Sequence, residues 1–154
     1  MANLATLDDL DRSILRIVQR DNQLTNAEIG ERIGLSTSSV RRRLTQMRED
    51  GVIAADVSRL HPDDVGVTLI VTVSFATETP EDYNAFDEQM RALAPVQQSY
   101  HIAGENDYIL IVHGPNLQWY EEWAKDALMS NPIIRRYSTQ VVWSCKKFDT
   151  AFEI

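Results

Sequence analysis

The sequence predicts an α+β chain of two domains, helical in its first third and mixed thereafter. Three observations carry this. Up to about residue 51 the apolar residues recur at helical spacing, with no sustained β-branched run. From Val67 onward, β-branched alternating runs and two amphipathic stretches follow in the order strand, helix, strand, strand, helix, strand. Between the two parts stands His61-Pro62-Asp63-Asp64, a turn cluster. The first part reads as a winged-type helix-turn-helix and the second as a ferredoxin-like βαββαβ sandwich. The boundaries expected are residues 1–52 for the helix-turn-helix, 53–64 for an extended connector and 65–154 for the sandwich.

In the first part, Leu7, Leu10, Ile14, Leu15 and Val18 recur at spacings of three, four and seven, which predicts a helix from about Asp8 to Arg20. Thr25, followed three residues later by Glu28, is a capping box that opens a short second helix with Ala27, Ile29 and Ile33 inward. Gly34 ends it. Ser36 then caps a third helix running from Thr37 to about Asp50, with Gly51 as its stop. Three short helices with a glycine turn before the third describe a helix-turn-helix.

Read at about 100° per residue, the third helix has a buried stripe of Val40, Leu44 and Met47. Opposite lie Ser38, Arg42, Thr45 and Gln46, with Ser39 beside them; Arg41 and Arg48 flank one edge and Arg43 the other. On a helix entering a major groove by its N-terminus, Ser38, Ser39 and Arg42 reach base edges while the flanking arginines reach phosphates. The candidate DNA-contacting set is thus Thr37, Ser38, Ser39, Arg41, Arg42, Arg43, Gln46 and Arg48. The competing reading is a solvated helix face whose arginines are answered by acids such as Glu49 and Asp50. The capped helix before it, the glycine turn and the serine-rich start favour DNA.

In the second part, Val67 to Phe75 reads as a strand with Leu69, Val71, Val73 and Phe75 on one face. Pro80 begins a helix with Tyr83, Phe86, Met90 and Leu93 as its stripe, closed by Pro95. Val96 to Ala103 and Tyr108 to Val112 are strands joined by Gly104-Glu105-Asn106-Asp107. A helix from Asn116 to about Met129 carries Leu117, Tyr120, Trp123, Ala124 and Leu128 on one side, and Ile133 to Trp143 is the last strand. Both helices would cover one sheet face. The other keeps apolar residues such as Ile70, Ile102 and Val142, so a homodimer through that face is expected.

Composition narrows the function classes. The chain has 154 residues, 44% of them hydrophobic and 25% charged, as in a core-forming soluble protein. No apolar run approaches the ~20 residues of a membrane span, and the N-terminus lacks a secretory pattern, so no membrane partner and a cytoplasmic location are expected. One cysteine, Cys145, excludes an internal disulfide. No nucleophile, zinc-site or phosphate-loop motif is present, and His61, His101 and His113 lack metal-ligand spacing, so neither an enzyme nor a metal cofactor is expected. His101 and His113 read as core or interface residues, and Cys145 as an inert thiol. The formal net charge of −8 divides into −2 over residues 1–64 and −6 over the rest, so a local basic face survives in an acidic chain.

The run LTNAEIGERIGLSTSSVRRRLTQMREDGVI resembles the helix-turn-helix of the Lrp/AsnC (leucine-responsive/asparagine-related) transcription regulators. The matching pieces are Asp11 to Leu15, Glu28-Ile29, Gly34-Leu35-Ser36, Arg43-Leu44 and Gly51-Val52-Ile53. The second half resembles that family's effector-binding and oligomerising domain, and Gly104-Glu105-Asn106-Asp107-Tyr108 its Gly-[Asp/Glu]-x-Asp-Tyr loop. The resemblance implies a free amino acid bound between subunits. Gly104 and Glu105 would supply the turn amides for its carboxylate and Asp107 a partner for its ammonium, with Thr139, Gln140, Val141 and Tyr100 lining the rest. Gln140 stands where relatives often carry an aromatic, which bears on side-chain selectivity. The residues alone equally allow a hairpin turn chosen for geometry. The function implied is a DNA-binding transcription regulator modulated by an amino acid. Its expected partners are double-stranded DNA and copies of itself, as a dimer assembling to a tetramer or octamer. The alternative is a ligand-sensing oligomerisation module without DNA binding.

Overall fold

The structure, a computed structural model, describes residues 7–58, 60, 65–77 and 79–154. The chain divides into two compact units, one of Met1–Arg59 with Lys147–Ile154 and one of Leu60–Lys146. The turn cluster at 61–64 lies outside the described residues.

The first unit holds α1 (Asp9–Val18), α2 (Asn26–Ile33) and α3 (Thr37–Glu49). Each start is set by a side chain that satisfies an orphan amide. Asp8 and Asp11 form a capping box on α1, Thr25 and Glu28 form one on α2, and Ser36 accepts from the Ser39 amide on α3. The box on α1 was not read from the sequence because its second acid is aspartate rather than glutamate. Gly34 ends α2 with φ +72, and Gly51 follows α3 with φ +71. Gly30 has another reason to be small: a Cβ there would run into the Leu35 carbonyl, so α2 and α3 close on each other only over a bare backbone. Ile14, Leu15, Ile29, Val40, Leu44 and Met47 are the buried core.

After α3, the amides of Val52 and Ile53 both donate to the Met47 carbonyl, at 2.8 and 3.0 Å. The described residues from 51 to 58 contain no strand. The C-terminal residues, expected with the sandwich, pack here instead. Gln19 and the Phe152 backbone exchange two hydrogen bonds (3.3 and 2.7 Å), Arg20 bonds Asp149 at 2.7 Å, and Ile154 joins the apolar cluster.

The second unit holds β1 (Val67–Phe75), α4 (Pro80–Ala92), β2 (Val96–His101), β3 (Tyr108–Gly114), α5 (Leu117–Ala124) and β4 (Ile134–Val141). The sheet order is β2-β3-β1-β4, antiparallel throughout, which is the expected βαββαβ topology. β1 is central because its helix-facing residues Leu69, Val71 and Val73 are fully buried, against Phe86, Met90 and Leu128. The last helix departs from expectation. It is α-helical only to Ala124 and continues as a π turn, Lys125–Met129, closed by the Ser130 amide on the Lys125 carbonyl at 3.1 Å. Gln89 of α4 holds that turn, donating to Ala127 O and accepting from the Asn131 side-chain amide. Leu117, placed on the apolar side by spacing, is half exposed. β2 stops at His101, where the Ile102 amide donates to Asp107 O to close the hairpin. Among the described residues no helix is long and apolar enough to cross a membrane.

Candidate functional site

On α3, Thr37, Ser38, Arg41, Arg42, Gln46 and Arg48 are exposed above the buried Val40, Leu44 and Met47. Their roles divide by what they already touch. Arg41 and Arg42 have no hydrogen-bond or ion-pair partner among the described residues, so their guanidinium groups are available to an external anion. Arg48 donates through Nε to Asp56 at 2.8 Å, an exposed pair of little strength that a phosphate can displace. Gln46 donates to Asp50 at 2.9 Å. Ser39 is half-buried and belongs to the N-cap, its hydroxyl accepting from Ser36 Oγ at 2.8 Å, while Ser38 Oγ lies 3.2 Å from the same atom.

Arg43, expected at the edge of the exposed face, is placed differently from Arg41 and Arg42: its side chain is only 19% exposed and one guanidinium nitrogen donates to both Asp8 (2.8 Å) and Asp11 (2.7 Å). The two acids, Asp11 first, raise the Arg43 pKa further. The Asp11 amide and then the Arg43 guanidinium hold the Asp8 carboxyl below its ordinary range. Asp8 and Asp11 were not read as functional, since their bond to Arg43 spans more than thirty residues; the Asp-x-x-Asp spacing was the available signal.

In the second unit, Gly104 and Glu105 sit exposed on the β2–β3 loop, with Glu105 within 3.4 Å of Arg136. Gly104 does not have a positive φ, and a Cβ there would meet nothing within 4 Å. Turn geometry therefore does not require a glycine at this position. Asp107 is half-buried and partly committed. Its Oδ2 accepts from the Phe75 amide at 2.7 Å and its Oδ1 from the Tyr83 hydroxyl at 3.3 Å, so it ties the hairpin to β1 and α4. His101 stacks on Tyr83 and Tyr108 on the helix side, with ring centroids 4.6 and 5.1 Å apart. Burial, and then Asp87 at 2.8 Å, push the Tyr108 phenol pKa upward.

The strand residues lie elsewhere. Thr139, Gln140 and Val141 pair with Val71, Ile70 and Leu69, whereas the loop adjoins the Val73–Phe75 end of β1. Thr139 is two residues, about 7 Å, beyond the Tyr137 that pairs with Val73. Thr139 faces the helices, 2.6 Å from the Tyr120 hydroxyl, while Gln140, paired with Ile70, lies on the open face. Tyr100 is on the open face too, opposite Ile109 and donating to Gln98 at 3.0 Å. Within one protomer Thr139, Gln140 and Val141 thus lie away from the loop, while Tyr100 stands at its β2 end.

Residues 7–54 match the family model described as winged helix-turn-helix DNA-binding, and residues 68–152 that of the Lrp/AsnC ligand binding domain. An HTH-type transcriptional regulator of Sinorhizobium fredii is 38% identical over 138 residues, which cover 88% of this chain and 82% of the relative. The leucine-responsive regulatory protein of Escherichia coli is 27% identical over 138 residues, covering 88% and 84%. Among solved structures, an AsnC family regulator from Agrobacterium tumefaciens is 33% identical with a TM-score of 0.87, and a Neisseria meningitidis regulator in complex with L-Met is 27% identical with a TM-score of 0.88. Each covers 96% of this chain and 97% of its own. An exposed arginine-bearing helix on a capped three-helix unit, a βαββαβ unit after it, and matches to both domain models lead to one assignment: the chain belongs to the Lrp/AsnC family of transcriptional regulators.

Proposed function

We propose that this chain reads duplex DNA through α3, with Ser38, Arg42 and Gln46 toward base edges and Arg41 and Arg48 toward phosphates, and that a free amino acid modulates its binding. The observation that carries the reading is the division on α3, where Arg41 and Arg42 stay unengaged while Arg43 and Arg48 are ion-paired and Val40, Leu44 and Met47 are buried. Unpartnered guanidinium groups beside a serine-rich helix start are the donors that phosphate oxygens and guanine edges accept.

For the effector, the amides beside Gly104 suit a carboxylate, and the oxygens of Asp107 retain lone pairs for an ammonium. The Neisseria meningitidis relative bound to L-Met supports an amino acid as the ligand class. Because loop and strand residues lie apart in one protomer, a second copy would complete the pocket. The open sheet face, with Ile70, Ile109 and Ile111 at its centre, is the surface offered for that dimer, from which tetramers or octamers would be built. A cytoplasmic location fits this reading.

The test is in-vitro selection of duplex DNA on the purified protein, followed by titration across salt concentrations. An enriched sequence and a steep fall of log affinity with log salt, about 0.9 per phosphate contact, are expected. No enrichment and no salt dependence would reject the DNA reading. A thermal-shift screen against the twenty amino acids tests the effector separately, and a flat result would remove it.

A further inference from the structure

Three consecutive arginines stand on α3, and the third is built into the protein. We propose that Arg43 is a positioning residue: it fixes the rotation of α3 against the start of α1, and so the direction in which Arg41 and Arg42 face DNA, without touching DNA itself. This rests on the DNA-binding reading given above.

The geometry is a clamp on one shared nitrogen of Arg43. Asp8 Oδ1 accepts the Asp11 amide and Asp11 Oδ2 accepts the Asp8 amide, which closes the α1 capping box. The remaining oxygen of each, Asp8 Oδ2 and Asp11 Oδ1, accepts the same Arg43 nitrogen. The clamp therefore grips a pair of carboxylates already held by backbone, not two free side chains, and charge-assisted bonds of this kind are directional. The apolar stripe of Val40, Leu44 and Met47 seats α3 through burial, a non-directional force. A polar clamp on the flank supplies what the stripe lacks. One residue's worth of slip is about 100° of helix rotation, enough to carry Arg42 off the exposed face. Phosphate binding by Arg43 would forfeit both bonds and leave two carboxylates facing a polyanion.

The measurement is DNA affinity against salt for wild type, Arg42→Ala, Arg43→Ala, Arg43→Lys and Asp11→Asn. The probes are a random-sequence duplex and the selected sequence, at a temperature where circular dichroism shows each variant folded. Arg42→Ala should lower the salt slope by about 0.9 for each contact removed. Arg43→Ala should bind the selected sequence roughly tenfold more weakly at the wild-type slope, and Arg43→Lys, whose single ammonium can still donate to both acids, should recover part of the loss. Asp11→Asn, which keeps an acceptor and removes a negative charge, should also weaken binding. A reduced slope for Arg43→Ala, or tighter binding by Asp11→Asn, would overturn the proposal. If wild type and Arg42→Ala both fail to bind either duplex, it is the DNA reading that falls.

Discussion

Arg41, Arg42 and Arg43 are adjacent in sequence and unlike in environment, because successive helical positions point about 100° apart. Two face solvent and the third meets Asp8 and Asp11. This yields a residue-scale prediction. Arg42→Ala should flatten the protein's preference among DNA sequences, costing roughly 1–3 kcal/mol against the best site, while Arg41→Ala weakens all sequences alike. Competition binding with matched and mutated duplexes distinguishes them. The angular reading found the exposed and buried faces of α3 and put Arg43 at their edge but not its partners, since the pattern along one helix does not say which partner helix lies at its flank. Gly104 was the converse case. Sequence left turn and ligand readings open, and the backbone conformation removed the need for glycine on turn grounds.

At the scale of elements, the Asp107 carboxylate ties the base of the β2–β3 loop to β1 and α4, beside the Asp107 amide on Val73 O. Asp107 accepts the amide of buried Phe75, so Asp107→Ala should leave that amide unsatisfied and cost about 1–3 kcal/mol in urea unfolding. Asp107→Asn keeps a carbonyl for the same amide and should cost less. An equal loss in both variants would mean that the charge, not the acceptor, matters. The helices and strands themselves were legible: β1 was read at Val67–Phe75, and the caps at Thr25 and Ser36 stand where the side-chain pattern put them. The π turn was not. It is held by Gln89, which donates to Ala127 O and accepts from Asn131, a contact between distant segments that leaves helical periodicity almost unchanged.

For the whole molecule, electrostatics and the open sheet face make two predictions. Asp8, Glu28, Asp82 and Asp149 are all held below their ordinary carboxylate values, mainly by backbone and hydroxyl hydrogen bonds, with arginines beside Asp8 and Asp149. A lowered folded-state pKa gives stability that is complete above the ordinary value and is lost as pH falls through the lowered one. The melting temperature should therefore hold down to about pH 5 and decline below about pH 4. A midpoint unchanged down to pH 2 would contradict it. Ile111→Glu, on the open face, should leave the fold intact and shift sedimentation toward monomer; an unchanged species would show that the copies meet elsewhere. The two-part α+β order, the helix starts and the buried faces follow from the residues alone, because capping and periodicity act over a few residues. It took the tertiary structure to show that Arg43 meets Asp8 and Asp11, that Lys147–Ile154 belongs to the first unit and that the β4 residues expected at an effector site lie away from the Gly104 loop. Each of these depends on which distant groups meet, and that is fixed by packing and not by local pattern.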